Sequence, residues 1–127
     1  MIKVYGLAEQ LNPVKARMSD VLHDCLTAVL QLPDDKRFQR FFPLPSEDFI
    51  FPADRSARFT QIEIHLMEGR STETIKRLIH EIFRRFEQEL ALSPQDVEIT
   101  VLVQPKTCWG FRGMTGDEVK LNYRLDL

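Results

Sequence analysis

Apolar residues in this chain fall into two helical stripes related by a constant offset. Met18, Leu22, Leu26, Leu30 and Leu32 correspond to Leu78, Ile82, Phe86, Leu90 and Leu92, each sixty positions later, and Ile2 corresponds to Ile62. The stripes are continuous at i, i+3, i+4 and i+7: Val14, Met18, Val21, Leu22, Cys25, Leu26, Val29 and Leu30 in one, and Ile75, Leu78, Ile79, Ile82, Phe83, Phe86 and Leu90 in the other. That spacing puts one face of each helix into a core. Short apolar segments flank each stripe, 2–7 and 37–42 around the first and 60–66 and 96–103 around the second. The order strand, helix, strand therefore occurs twice, with helices predicted over 12–33 and 71–94. Identity between the halves is sparse; they share a pattern rather than a composition.

Two such units, each laying a long helix on one face of a sheet, predict a two-layer α+β domain with both helices on the same side. Val97, Ile99, Val101 and Val103 alternate with Glu98, Thr100 and Leu102, and Ile62, Ile64 and Leu66 alternate with Glu63 and His65, so these strands each have one apolar face. The opposite face of the sheet is left for water or a partner. Asn12 before Pro13 has the form of a helix start, as has Ser71 or Thr72 before Glu73. The expected division is a first unit at 1–44, a connection at 45–58, a second unit at 59–104, and a loop with a C-terminal strand at 105–127. The strand is expected because Val119, Leu121, Tyr123 and Leu125 alternate with polar residues.

At 127 residues one domain with its own core is expected. Seventeen Lys+Arg against nineteen Asp+Glu give a formal net charge of −2, which disfavours nucleic acid and anionic membranes as partners. No basic leader followed by an apolar run, and no spanning segment of about eighteen apolar residues, is present, so a cytoplasmic protein is expected. Cys25 and Cys108 lack metal-ligand spacing and are read as free thiols. His23 and His80 fall off the apolar stripes and are expected at the surface. No metal or cofactor is implied.

Two segments depart from a plain scaffold. The 43–58 connection is long, and Phe38, Phe41, Phe42, Phe49, Phe51 and Phe59 cluster on and around it, more apolar surface than a solvated loop carries, so these rings are expected to be buried within the chain or against another subunit. The stretch "QPKTCWGFRGMTGDE", 104–118, sets the single tryptophan, Trp109, and Phe111 among three glycines. Those aromatics either close over the core or border a pocket.

The duplicated strand-helix-strand order, with "LPDDKRFQ" after the first helix, "IEIHLMEGRS" leading into the second and "WGFRGM" after the last strand, resembles the longer members of the tautomerase superfamily, related to 4-oxalocrotonate tautomerase, malonate semialdehyde decarboxylase and macrophage migration inhibitory factor. The resemblance covers nearly the whole chain. It implies a homotrimer of β-α-β-β-α-β subunits, a C-terminal tail reaching a neighbour, and a pocket at the Trp109 loop near a subunit interface. Family enzymes use the amine of a proline that follows the initiator methionine; here that position is Ile2, and a bulky isoleucine is expected to leave Met1 and its primary amine in place. The resemblance thus points to Met1 as the catalytic base, with Arg70, Arg112, Trp109, Phe111 and Lys36 as substrate-binding residues and Arg37 beside Lys36. Lys36 stands where the family's decarboxylases have their assisting carboxylate, and Cys108 where family chains have Asn or Asp.

Arg70 is expected near a helix N-terminus, where backbone N–H groups and the dipole favour an anion, so the implied ligand bears a carboxylate. Three functions remain open: a keto-enol tautomerase acting on a small oxo acid, a non-catalytic trimeric relative that has lost the proline, and an unrelated ferredoxin-like regulatory domain.

Overall fold

The computed structural model describes all 127 residues, Met1–Leu127. Its elements run β1 (Ile2–Leu7), α1 (Ala8–Leu11), α2 (Lys15–Leu30), β2 (Gln39–Leu44), β3 (Thr60–Met67), α3 (Thr72–Leu90), β4 (Val97–Gln104), β5 (Gly110–Phe111) and β6 (Met114–Thr115). The first four long strands form one sheet in the order β2-β1-β3-β4, and β5 and β6 pair separately. β1 and β2 are parallel, β3 and β4 are parallel, and the two pairs join through antiparallel β1 and β3.

The duplication is exact in register. Ile2 aligns with Gln39 and Thr60 with Val97, the same step of thirty-seven residues in both halves. At the joint Ile2 faces Ile64 and Val4 faces Ile62, so the pair Ile2/Ile64 becomes Ile62/Val4 when each residue is replaced by its counterpart in the other half. Both long helices stop at a residue in the left-handed region, Gln31 (φ 55°) and Ala91 (φ 51°), again sixty apart. A left-handed residue turns the chain out of the helix and lets its N–H cap a free carbonyl, here that of Thr27 and of Phe86. Neither site is glycine, the usual choice, so the stop depends on the apolar residues that follow being drawn back to the core.

That core lies between the helices and one face of the sheet. Ile2, Val4, Ile62 and Ile64 from the sheet meet Met18, Leu22, Cys25, Leu26 and Leu30 from α2 and Leu78, Ile82 and Phe86 from α3. The period-two burial of β1 and β3 and the helical stripes are thus the two halves of one apolar layer.

Some expectations are corrected. Asn12 does not cap the long helix: it ends the one-turn α1, Pro13 lies in the turn that follows, and α2 begins at Lys15 with no side-chain cap at Val14. The second start holds, with Ser71 Oγ accepting from the Thr74 N–H at 3.2 Å. His23 is buried, its Nε2 2.7 Å from the Asp34 carbonyl oxygen, because the chain leaving α2 folds back over that side of the helix. The 119–127 tail forms no strand despite its alternation: it crosses the start of α3 of its own chain, and the main-chain oxygen of Leu127 accepts from Ser71 Oγ at 3.3 Å and from Thr74 Oγ1. Val119 is buried, and Leu121, Tyr123 and Leu125 are half-buried there without a ladder partner.

Nor are all the clustered phenylalanines buried. Phe49, Phe51 and Phe59 pack on one another with centroids 5.0 to 5.8 Å apart, and only Phe59 is fully buried, whereas Phe38 is 64% exposed. The connection supplies its own small aromatic cluster.

Phe86 is inaccessible to solvent, so Phe86→Ala should lower the unfolding free energy by about 3–5 kcal/mol in urea denaturation. Ile50, 89% exposed, should change it by less than about 0.5 kcal/mol on replacement by alanine.

Candidate active site

The sheet face away from the helices carries the polar alternates of the strands. Lys3 and Tyr5 of β1 have Arg40 and Phe42 beside them on β2, and Glu63 and Gln61 beside them on β3. Tyr5 stacks on Phe42 with centroids 4.8 Å apart and an interplanar angle of 13°. His65 Nε2 is 3.7 Å from Glu63 Oε2, and burial together with the neighbouring Glu63 carboxylate holds the Tyr5 phenol above its ordinary pKa.

Met1 begins this layer. Its carbonyl oxygen accepts from the His65 N–H at 2.8 Å, and its amine donates to the His65 carbonyl oxygen at 3.2 Å, so the antiparallel ladder of β1 and β3 holds the amine in place. Burial pushes the ammonium pKa down from 8.0 to about 6, and the positive charges of Arg40 and then Arg70 push it the same way. Each effect has the expected sign for a cation, since both removal from water and a neighbouring cation disfavour the charged form. The amine is therefore mostly neutral at pH 7.

Arg70 stands in the turn between β3 and α3, near enough for its charge to act on this amine. Gly69, with φ 134°, makes that turn, and Arg70 Nη1 donates to the Met67 carbonyl oxygen at 3.2 Å. Its Nε is buried without a hydrogen-bond partner, and burial lowers the guanidinium pKa. A guanidinium fork that has used one donor on the backbone keeps others for a planar carboxylate.

Met1 and Arg70 are thus brought together, and the remaining candidates are not joined to them. Trp109 is half-buried with its Nε1 unpartnered; its N–H donates to the Lys106 carbonyl oxygen and its own carbonyl accepts from the Gly116 N–H, which closes the 109–116 loop around the β5–β6 pair. Phe111 is half-buried beneath the Arg112 guanidinium, 5.7 Å from its ring centroid, and Arg112 is otherwise exposed. No hydrogen bond links Trp109, Phe111 or Arg112 to Met1 or Arg70. The Lys36 side chain makes no hydrogen bond or ion pair, and Arg37 is taken up by Asp20 at 2.7 Å. The cation that sequence reasoning missed is Arg40. Its signal was its alternation with Phe41 and alignment beside Lys3, legible only once the β1/β2 register is known.

Solved structures share this architecture. A malonate semialdehyde decarboxylase superposes with a TM-score of 0.79 at 17% identity over 90% of this chain and 92% of that one. A second malonate semialdehyde decarboxylase, FG41, inhibited by 3-bromopropiolate, gives 0.77 at 24% over 87% and 88%. A fused 4-OT asymmetric trimer gives 0.80 at 20% over 91% and 95%. The family model described as tautomerase enzyme matches residues 36–112, more than half of the chain. The protein belongs to the tautomerase family. An unrelated ferredoxin-like domain is thereby set aside.

Because the amine titrates in the folded protein near pH 6, its reaction with an acylating reagent should show a midpoint about two pH units below that of the unfolded chain. Mass spectrometry of the N-terminal peptide across pH 5 to 9 measures it. Arg40→Ala and Arg70→Ala should each raise the midpoint without restoring 8.0, since burial is the larger cause. The sign for stability follows: between about 6 and 8 the unfolded chain binds the proton more tightly, so stability rises with pH through that window.

Proposed function

We propose that this tautomerase-family chain catalyses keto-enol interconversion of a small oxo acid, with the Met1 amine as base and Arg70 holding the substrate carboxylate. The observation that carries the proposal is the half-buried amine held by β3, with the charges of Arg40 and Arg70 acting on it. A base is most useful when its pKa lies near the working pH, and a primary amine in this setting meets that condition without a proline ring. The neutral amine takes the enol hydroxyl proton, the electrons of that O–H bond form the carbonyl π bond, and the former double-bond pair takes the proton from the resulting ammonium at carbon, which returns the amine to its neutral form. Trp109 and Phe111 would border the substrate from the 104–118 loop, with Arg112 and Lys36 as outlying cations that a substrate or neighbouring subunit draws in.

Assembly belongs to the same proposal. The polar sheet face bears no layer of its own chain, Phe38 is exposed on β2's approach, and His65 Nε2, Arg70 Nε and Trp109 Nε1 are buried without partners, a set of unmet needs that a homotrimer answers. The fused 4-OT neighbour is a trimer. A non-catalytic trimeric relative is the second reading, favoured by one observation: Ile2, where family enzymes have their proline, is 1% exposed and belongs to the core.

The deciding assay follows enol-to-keto conversion of phenylpyruvate in protein whose amino terminus has been established by intact mass. Low but measurable turnover is expected, with kcat/KM rising as pH passes about 6 and level above 7. Arg70→Ala should lower kcat/KM about tenfold to a hundredfold, the loss of one charge-assisted hydrogen-bonded contact. Turnover unaffected by acetylation of the terminal amine would place the base elsewhere, and no turnover in a folded trimer would leave the non-catalytic relative. Sedimentation at micromolar concentration should give three times the chain mass of 14.9 kDa.

A further inference from the structure

The start of α3 is already in contact with another part of the chain. The Ser71 and Thr74 hydroxyls both donate to the main-chain oxygen of Leu127, the last residue. Two residues earlier the tail lies on the turn itself: a Cβ added to Gly69 would come within 2.8 Å of the Leu125 carbonyl oxygen and 3.1 Å of the Leu125 Cβ, so only glycine lets the tail pass this close. Between this tail and the Trp109 loop lies an open cavity of about 310 Å³, lined in part by Lys106, Asp117, Tyr123, Leu125 and Asp126.

An oxygen acceptor therefore sits on the two hydroxyls of the helix start that follows Arg70, where an incoming carboxylate would find donors. The structure assigns to residues 123–127 the role of a built-in occupant: the tail holds the subsite made by Arg70, Ser71 and Thr74, and a carboxylate ligand binds there by displacing it. This rests on the proposed oxo-acid function and deepens it, adding Ser71 and Thr74 to the ligand's contacts and making the tail its competitor. Displacement is undemanding because the tail has no ladder hydrogen bonds to lose, being held by two hydroxyls, the Gly69 contact and half-buried Tyr123 and Leu125. Segments with so few backbone partners open locally at small free-energy cost.

Pyruvate is the probe. Its dissociation constant is measured by calorimetry for the full chain, for a chain ending at Asn122, and for the full-length Leu125→Ala variant, which loosens the tail if shortening impairs folding. Trimming of residues 123–127 by carboxypeptidase is followed with and without pyruvate, and Arg70→Ala is titrated alongside. The expected result is binding at least tenfold tighter in the shortened chain, an intermediate gain for Leu125→Ala, and faster trimming of 123–127 when pyruvate is added to the full chain. Pyruvate binding that is weakened by Arg70→Ala yet equally strong in the other three proteins, with trimming unchanged, overturns the competitor role and leaves the Arg70 site standing. Absence of pyruvate binding in every folded version overturns the oxo-acid reading and the competitor role together.

Discussion

The antiparallel pairing of β1 with β3 is the contact on which the rest of this molecule depends. It joins the two halves, and it does so between residues that are counterparts of one another, so one interface satisfies both units at once. Each half alone would be a parallel pair with a single helix, leaving an open edge and an unshared apolar face. Joined, Ile2, Val4, Ile62 and Ile64 form one continuous floor under two helices, and α2 and α3 cover each other's flanks. The period of two that buries these side chains also fixes what faces the other way: Met1, Lys3, Tyr5, Glu63 and His65 share the uncovered face by necessity. A slip of one residue would put the amine's neighbours in the core and the core in water.

The same pairing sets the chemistry of the amine. Its loss of basicity comes first from burial, and burial follows from Met1 being the ladder partner of His65; the two arginines add to an effect that the strand has already produced. Arg40 is delivered by the parallel register of β2, and Arg70 by the glycine turn after β3, so three elements that are distant in sequence converge through the sheet alone. A proline ring is one way to obtain an amine of suitable basicity, and placement at the inner end of a central strand is another.

The architecture was legible because its signals are periodic and repeated. The offset of sixty appears in the stripes, and the structure extends it to the helix stops at Gln31 and Ala91 and to the register step of both parallel pairs. Signals carried by a single residue were less dependable. Asn12-Pro13 has the composition of a helix start, yet the apolar demand of Leu11, which is buried, pulls the preceding turn into its own short helix and moves the start to Lys15. His23 lies off the stripe as helical geometry predicts, but the loop after α2 covers it, and loops have no period to read. The tail shows the limit of alternation as a strand signal: Val119 to Leu125 alternates, but the strand edges of its own chain lie elsewhere, and the segment settles against side-chain hydroxyls and a glycine instead.

The candidate site divides along the same line. Met1 and Arg70 were candidates from the sequence because a family pattern marks a chain end and a "GRS" turn, both of which are local in sequence. Arg40 was not, because its importance is a cross-strand relation: in the sequence it is one of several basic residues after α2, indistinguishable from Lys36 and Arg37. Only register separates the three. Arg37 turns to Asp20 of α2, Lys36 stays in the loop, and Arg40 aligns beside Lys3 on the face that holds the amine. For a site built at the joint of two repeats, the residues that matter are those whose strand positions meet. The pattern of the halves fixes which residues share a face, and pairing fixes which of them touch.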